Sequence, residues 1–136
     1  MVPVTIPIRT ASTPGMGSLS FFEGGRDIHF DIKRLYYVYA VPKDSRRGGH
    51  AHKELNQILM CPYGSIKILL DDGTEKSEFM LDDPSTGLFI GPSIWHDMVW
   101  MTSNSVLLVA ASDYYDENDY IRNYDDFIRW THECSF

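Results

Sequence analysis

Between residues 18 and 112 the sequence never runs far without a turn signal, and that punctuation limits what the chain can fold into. Short strand-like stretches fall at residues 19–22, 32–41, 55–61, 65–70, 77–81, 87–90, 94–100 and 105–111. Gly48-Gly49, Pro62-Tyr63-Gly64, Asp71-Asp72-Gly73-Thr74, Asp83-Pro84 and Gly91-Pro92 separate them. Strands this short and this closely spaced cover their edges by packing into a sandwich or closing into a barrel, so the expected fold is all-β. Asp72-Gly73 marks the clearest hairpin, because both residues tolerate positive φ. Only the end of the chain changes period. Ile121, Tyr124, Phe127 and Ile128 recur at three- and four-residue spacing, with Asn118 or Asp119 available as N-cap. That spacing predicts one short C-terminal helix over 118–130 whose apolar stripe packs on the outside of the β core.

The 136 residues amount to one domain with one core, and a 43% hydrophobic content excludes wholesale disorder. Twelve Lys and Arg against nineteen Asp and Glu leave a net charge of −7. Non-specific binding to nucleic acid or to an anionic membrane is therefore not expected, and an anionic ligand would need local basic groups. Cys61 and Cys134 make no disulfide framework. Cys61 lies in the apolar run Ile58-Leu59-Met60-Cys61 and reads as a small core residue, which fits a reducing cytoplasm. No stretch approaches the roughly 20 apolar residues of a membrane span, and the N-terminus lacks the pattern of an export signal. Residues 1–15, with three prolines and a Ser-Thr cluster, are expected to form an extended arm that pairs with a partner subunit.

Five histidines are present, and two of them, His50 and His52, stand two apart. On an extended segment, residues i and i+2 share a face, so both imidazoles would enter one cavity. Taken alone, His-x-His is equally a pair of surface residues on an edge strand. With Gln57 five residues on, and Gly91-Pro92 followed by His96, the layout resembles the two motifs of the cupin superfamily, which implies a jelly-roll β-barrel. Metal-binding cupins carry a Glu in the first motif, where this chain has Asn56 or Gln57. A neutral amide brings no charge to offset an ion's lost hydration. The resemblance thus keeps the cavity and weakens the metal site, and no cofactor is expected; three histidines holding zinc or iron are the alternative.

Five further blocks are more specific: Ile32-Lys33-Arg34-Leu35-Tyr36-Tyr37, Arg47-Gly48-Gly49-His50-Ala51-His52-Lys53, Leu69-Leu70-Asp71-Asp72-Gly73, Gly91-Pro92-Ser93-Ile94-Trp95-His96, and residues 111–122. Together they resemble the bacterial dTDP-4-oxo-6-deoxyglucose 3,4-ketoisomerases, small cupins that supply 3-oxo-6-deoxyhexoses for amino-sugar synthesis. The resemblance spans residues 15–130. It implies an enediol isomerisation with a dTDP-linked 4-oxo-6-deoxyhexose as substrate, and a homodimer with exchanged N-terminal strands. Nothing in that reaction requires a metal or a redox cofactor. It needs a base that works near neutral pH, and imidazole suits.

The resemblance implies His50 as principal base and His52 as its partner in proton relay. Tyr37 and Arg47 are candidates to stabilise the enediolate oxygen. Tyr37 has a competing reading, since most of the eight tyrosines of a β-rich chain serve packing. Arg122, with Arg47, is chosen for the diphosphate because its planar fork suits phosphate oxygens, the alternative being a surface pair with Asp125 or Asp126. Gln57 and Trp95 are candidates for the thymine ring, but alternation sends only one of Trp95 and His96 inward. Met16 precedes Gly17-Ser18-Leu19 where relatives with a galacto product carry Arg, while His96 matches them. The expectation leans to dTDP-3-oxo-6-deoxygalactose, with the gluco epimer open. His29 and His132 are given no role. The acidic stretch 113–119 lacks the central glycine of an EF-hand and reads as a polar entry to the helix. Two other readings stand beside the isomerase: a metal-dependent, dioxygenase-like cupin, and a sugar-nucleotide-binding cupin without catalysis.

Overall fold

The computed structural model describes residues 1–133, and its two larger sheets explain the unusual apolarity of the central strands. One sheet holds β1 (Val4–Pro7), β9 (Thr86–Ile90), β6 (Gln57–Tyr63), β11 (Val106–Ala111) and β4 (Arg34–Val38), in that order. The other holds β12 (Tyr120–Ile121), β5 (Arg46–His52), β10 (Trp95–Trp100), β7 (Ile66–Asp71) and β8 (Lys76–Leu81). Neighbouring strands within each sheet are antiparallel. A separate hairpin joins β2 (Arg9–Thr13) to β3 (Gly17–Phe21), and one helix, α1 (Tyr124–Glu133), ends the described chain.

The two sheets face each other across an apolar interior. Leu59, Leu88, Leu107 and Val109 from one meet Ile66, Ile68, Met98 and Trp100 from the other. The opposite side of the first sheet is covered as well. Ile58, Met60 and Ala110 pack there against Ile8, Ile28 and Phe30. A strand buried on both faces reads as a continuous apolar run rather than an alternation, which accounts for Ile58-Leu59-Met60-Cys61. Cys61 is a buried free thiol, as its surroundings led one to expect, and Cys134 lies outside the described residues. Helix α1 packs Phe127 and Ile128 over Ala51, Ile121 and Trp95 on the outside of the second sheet.

Three local expectations need correction. The N-terminal residues do not form a single free arm. β1 pairs with β9 of its own chain, Val4 opposite Phe89, and only the β2–β3 hairpin stands off the barrel with every residue exposed. The helix starts at Tyr124 instead of near 118, because Tyr120 and Ile121 are taken into the sheet opposite His52 and Ala51. Asn118 and Asp119 therefore sit in a 3-10 turn capped by Asp116, while Asn123 accepts a hydrogen bond from the Asp126 amide in the first turn of α1. Last, Gly48-Gly49 is not a turn between strands. It lies inside β5, where both glycines adopt positive φ and the register against β10 shifts between His96 and Asp97. The result is a β-bulge, which bends the strand and re-aims the side chains beside it.

Candidate acid-base site

The bend in β5 sets the direction of His50 and His52. Ala51 between them is buried under the helix, so the two imidazoles turn the other way, into the end of the barrel, where His96 on β10 stands opposite His50. Ring centroids are 5.1 Å apart for His50 and His52, 4.6 Å for His50 and His96, and 6.0 Å for His52 and His96. One nitrogen from each ring lies within 4.8 Å of the others. His52 and His96 are each only 2% exposed.

Burial disfavours the charged imidazolium, and the neighbouring rings add to that pressure. His50 is lowered to about 3 by desolvation first, then by His96, His52 and Arg122. His96 is lowered to about 4, again mainly by desolvation. His52 is also lowered, against the opposing pull of Asp119. The trio is therefore neutral near pH 7 and can accept protons.

Hydrogen bonds fix which nitrogen does so. His52 Nδ1 lies 2.9 Å from Asp119 Oδ2; a carboxylate only accepts, so Nδ1 carries the hydrogen and Nε2 keeps its lone pair. Asp119 is itself held, with Oδ1 accepting from the Glu54 amide at 2.8 Å and its carbonyl accepting from the Lys53 amide at 2.9 Å. His96 Nδ1 donates to the Ile94 carbonyl at 3.1 Å, which makes its Nε2 an acceptor too. The neutral His96 in this tautomer presents a lone pair, not a hydrogen, at Nε2. His50 Nδ1 is buried and has no hydrogen-bond partner among the described residues.

A cleft of about 270 Å³ opens beside His50, walled by Arg34, Tyr36, Arg47, Tyr120 and Arg122. Larger concavities elsewhere, including one of about 660 Å³ beside Trp95 and Tyr124, contain none of the three histidines. The Tyr120 ring lies 4.4 Å from that of His52 and 5.1 Å from that of His50. Alternation along β4 turns Tyr36 inward and leaves Tyr37 61% exposed, its ring 5.7 Å from that of Tyr39. Of these two it is Tyr36, one position from the one expected, that lines the cleft with His50 and Tyr120. Its hydroxyl donates to Gln57 Oε1 at 3.2 Å, and burial, with Tyr120 nearby, raises it to about 12. Gln57 is 1% exposed and its Nε2 has no partner. Arg122 reaches the cleft, but its Nε and Nη2 donate to Glu117 at 2.6 and 3.0 Å, not to Asp125 or Asp126. Its guanidinium also stacks 4.2 Å from the centroid of Tyr120.

Trp95 faces outward against Tyr124 and Phe127 while His96 faces in, as alternation requires. That removes Trp95 from the cavity. Met16 is 84% exposed near the tip of the β2–β3 hairpin and is not part of the cleft wall in its own chain. His29 makes edge contacts with Phe30 and Phe89. Asp119, Tyr120, Tyr36 and Arg34 escaped the sequence reading as site residues. Tyr36 was recoverable from the strand period; Asp119 was not, since nothing local shows that residues 120–121 pair with β5.

The three imidazoles fit a borderline divalent ion by donor type. Two already have their Nδ1 hydrogens anchored, which orients the Nε2 lone pairs in the manner of metal-bound histidines. The Gln57 amide, which accepts from Tyr36, adds no negative charge.

Two facing antiparallel sheets with histidines gathered inside one end define the cupin β-barrel, furnished here with a neutral acid-base cluster. The chain belongs to the family described as FdtA, WxcM-like, C-terminal, whose pattern matches residues 5–132. It is 48% identical over 114 residues to the TDP-4-oxo-6-deoxy-alpha-D-glucose-3,4-oxoisomerase of Aneurinibacillus thermoaerophilus, covering 84% of this chain and 82% of that one. Among solved structures it is similar to the sugar 3,4-ketoisomerase QdtA of Thermoanaerobacterium thermosaccharolyticum in complex with TDP. That match has a TM-score of 0.93 and 46% identity over 98% of this chain and 97% of that one. The WlaRB TDP-quinovose 3,4-ketoisomerase of Campylobacter jejuni matches with a TM-score of 0.88 and 39% identity, over 93% and 97% of the two chains. NovW, a 4-keto-6-deoxy sugar epimerase from Streptomyces spheroides, shares the fold at 16% identity and a TM-score of 0.72, over 85% of this chain and 66% of that one.

Proposed function

We propose that this protein moves the carbonyl of dTDP-4-oxo-6-deoxyglucose from C4 to C3, acting as a homodimer in the cytoplasm. The observation that carries the reading is the cluster of three neutral imidazoles, two of them buried and the third, His50, opening on a cleft with two tyrosines and three arginines. Family membership and two ketoisomerase relatives above 45% identity support it.

In this scheme His50 takes the proton from C3, the electron pair of that C–H bond forms the C3–C4 double bond, and the C4 carbonyl oxygen takes up the charge and a proton. Return of a proton to C4 and loss of the C3 hydroxyl proton leaves the carbonyl at C3. Reactants and products balance with no oxidant, reductant or metal. His52, oriented by Asp119, passes the proton on from His50. Tyr36 takes the donor role that Tyr37 cannot fill from the outer face. A base lowered to about 3, mainly by desolvation, is weak in the free protein; a diphosphate beside Arg122 offsets that arginine's share of the pressure on His50 and raises its basicity. Met16 reaches a catalytic cleft only if the exposed hairpin crosses to a second copy, as strand exchange would have it.

The deciding experiment is an NMR time course with dTDP-4-oxo-6-deoxyglucose in deuterated water, with and without a chelator. Loss of the C3 proton and movement of the carbonyl to C3 in both samples is the expected result, and the C4 coupling identifies the galacto or gluco product. The three-imidazole geometry favours one other reading, a metal-dependent cupin; turnover lost on chelation and restored by zinc or iron would establish it. No exchange in either sample would leave a sugar-nucleotide-binding cupin without catalysis.

A further inference from the structure

The arginines at the cleft are not equivalent. Arg122 commits its fork to Glu117, and Arg46, just outside the cleft, is paired with Asp97. Arg34, partly buried, has no carboxylate within ion-pair distance among the described residues, and its Nε is buried without a hydrogen-bond partner. Its guanidinium carbon lies 5.7 Å from the ring centroids of both Tyr36 and Tyr115. Aromatic faces attract a cation without satisfying its N–H groups. Burying a guanidinium N–H without a partner is costly, so a fold that does so at the wall of a cleft leaves room for a ligand to supply an acceptor.

Position decides which acceptor. Arg34 and Tyr36 alternate to the same side of β4, and the backbone of Arg34 is pinned opposite Ala111 of β11. Arg34 shares its cleft wall with His50 and Tyr120, whose ring centroids are 5.1 Å apart. Arg122, held by an exposed carboxylate, can exchange that partner for a phosphate. Arg34 has no partner to exchange.

We propose that Arg34 is a catalytic residue that donates hydrogen bonds to the enediolate oxygen, with Tyr36 beside it, leaving the diphosphate to Arg47 and Arg122. The proposal rests on the ketoisomerase reading. As His50 removes the C3 proton, the electron pair moves into the C3–C4 bond and the C4 oxygen becomes the oxyanion that Arg34 faces. The C4 oxygen then takes up the proton that the C3 hydroxyl loses, the C3 oxygen's pair forms the C3 carbonyl, and the C3–C4 double-bond pair takes a proton at C4. A donor aimed at charge that exists only in the transition state raises turnover without tightening ground-state binding.

The test compares Arg34→Gln and Arg34→Lys with the wild-type protein in three measurements: kcat on dTDP-4-oxo-6-deoxyglucose, the Kd of TDP by calorimetry, and Tm. For Arg34→Gln a kcat loss of about 10²- to 10³-fold is expected, as for removal of one oxyanion donor. The Kd of TDP should stay within about threefold and Tm should hold or rise, because an unsatisfied cation has been removed. Arg34→Lys should recover part of the turnover. An unchanged kcat overturns the proposal, as does a Kd of TDP that weakens in step with kcat, which would put Arg34 on the diphosphate. A Tm that falls equally in both variants assigns Arg34 a structural role instead. Wild-type protein that binds TDP without isomerising the substrate overturns the ketoisomerase reading and this proposal together.

Discussion

At the scale of single residues, the candidate site gathers imidazoles that the fold keeps neutral. Folding lowers His50, His52 and His96 below the unperturbed value of about 6.5, so between that pH and the folded values the unfolded chain binds more protons. Stability contributed this way is complete above about pH 6.5 and is lost as pH falls toward 4 and then 3. The slope is at most about 1.4 kcal/mol per pH unit for each proton. Tm should therefore be level from pH 8 to 7 and drop from pH 6.5 to 5, above the range in which most carboxylates titrate. The His50→Asn variant should show a shallower drop over the same window; an identical slope would mean that His50 does not titrate below its ordinary range. The sequence disclosed this cluster well, because two-residue spacing and the Gly-Pro-x-x-x-His segment are local signals. It disclosed the tyrosine less well: Tyr36 and Tyr37 are chemically identical, and only the phase of β4 separates them. Asp119 was hidden, since its partner His52 is 67 residues away.

At the scale of elements, the site depends on one bulge. Gly48 sits at φ +96°, and a Cβ there would come within 2.9 Å of the His96 carbonyl oxygen and 3.1 Å of Asp97 Cα. Both contacts are to backbone, so no side-chain rotation relieves them. Gly48→Ala should cost at least about 1 kcal/mol of stability through backbone conformation alone. It should also displace His50 from His96, lowering isomerase turnover beyond what the stability loss explains. A urea unfolding midpoint and a turnover assay well below that midpoint read the two effects separately; a variant with wild-type values in both would show that the bulge does not set the histidine geometry. In sequence, Gly48-Gly49 reads as a turn because nearly all its local meaning is conformational freedom. Only the partner strand β10 turns that freedom into a bulge. β1 was obscured in a similar way, since Pro3 and Pro7 frame a segment whose strand character comes from pairing with β9.

At the scale of the whole molecule, the barrel leaves apolar surface where a single copy has no use for it. Leu19 and Leu35 are both 61% exposed, the first on the β2–β3 hairpin and the second on β4, which ends its sheet with one edge unpaired. Tyr37 and Tyr39 extend the exposed face beside Leu35, and Phe21 and Met16 extend that of the hairpin. An uncovered edge strand invites pairing with another chain, and a second copy offers a hairpin of matching apolar character. Light scattering should give twice the 15.6 kDa chain mass at micromolar concentration. Leu19→Asp and Leu35→Asp should each shift the protein toward the monomer, because a buried carboxylate is costly at such an interface. Both variants should keep the Tm of the barrel within a few degrees at high dilution, since neither residue belongs to the core clusters. If the hairpin completes the partner's cleft, turnover per chain should fall along with the dimer fraction. A wild-type protein that is monomeric at these concentrations would end the strand-exchange reading, and turnover per chain that stays constant while the dimer dissociates would confine the active site to one chain.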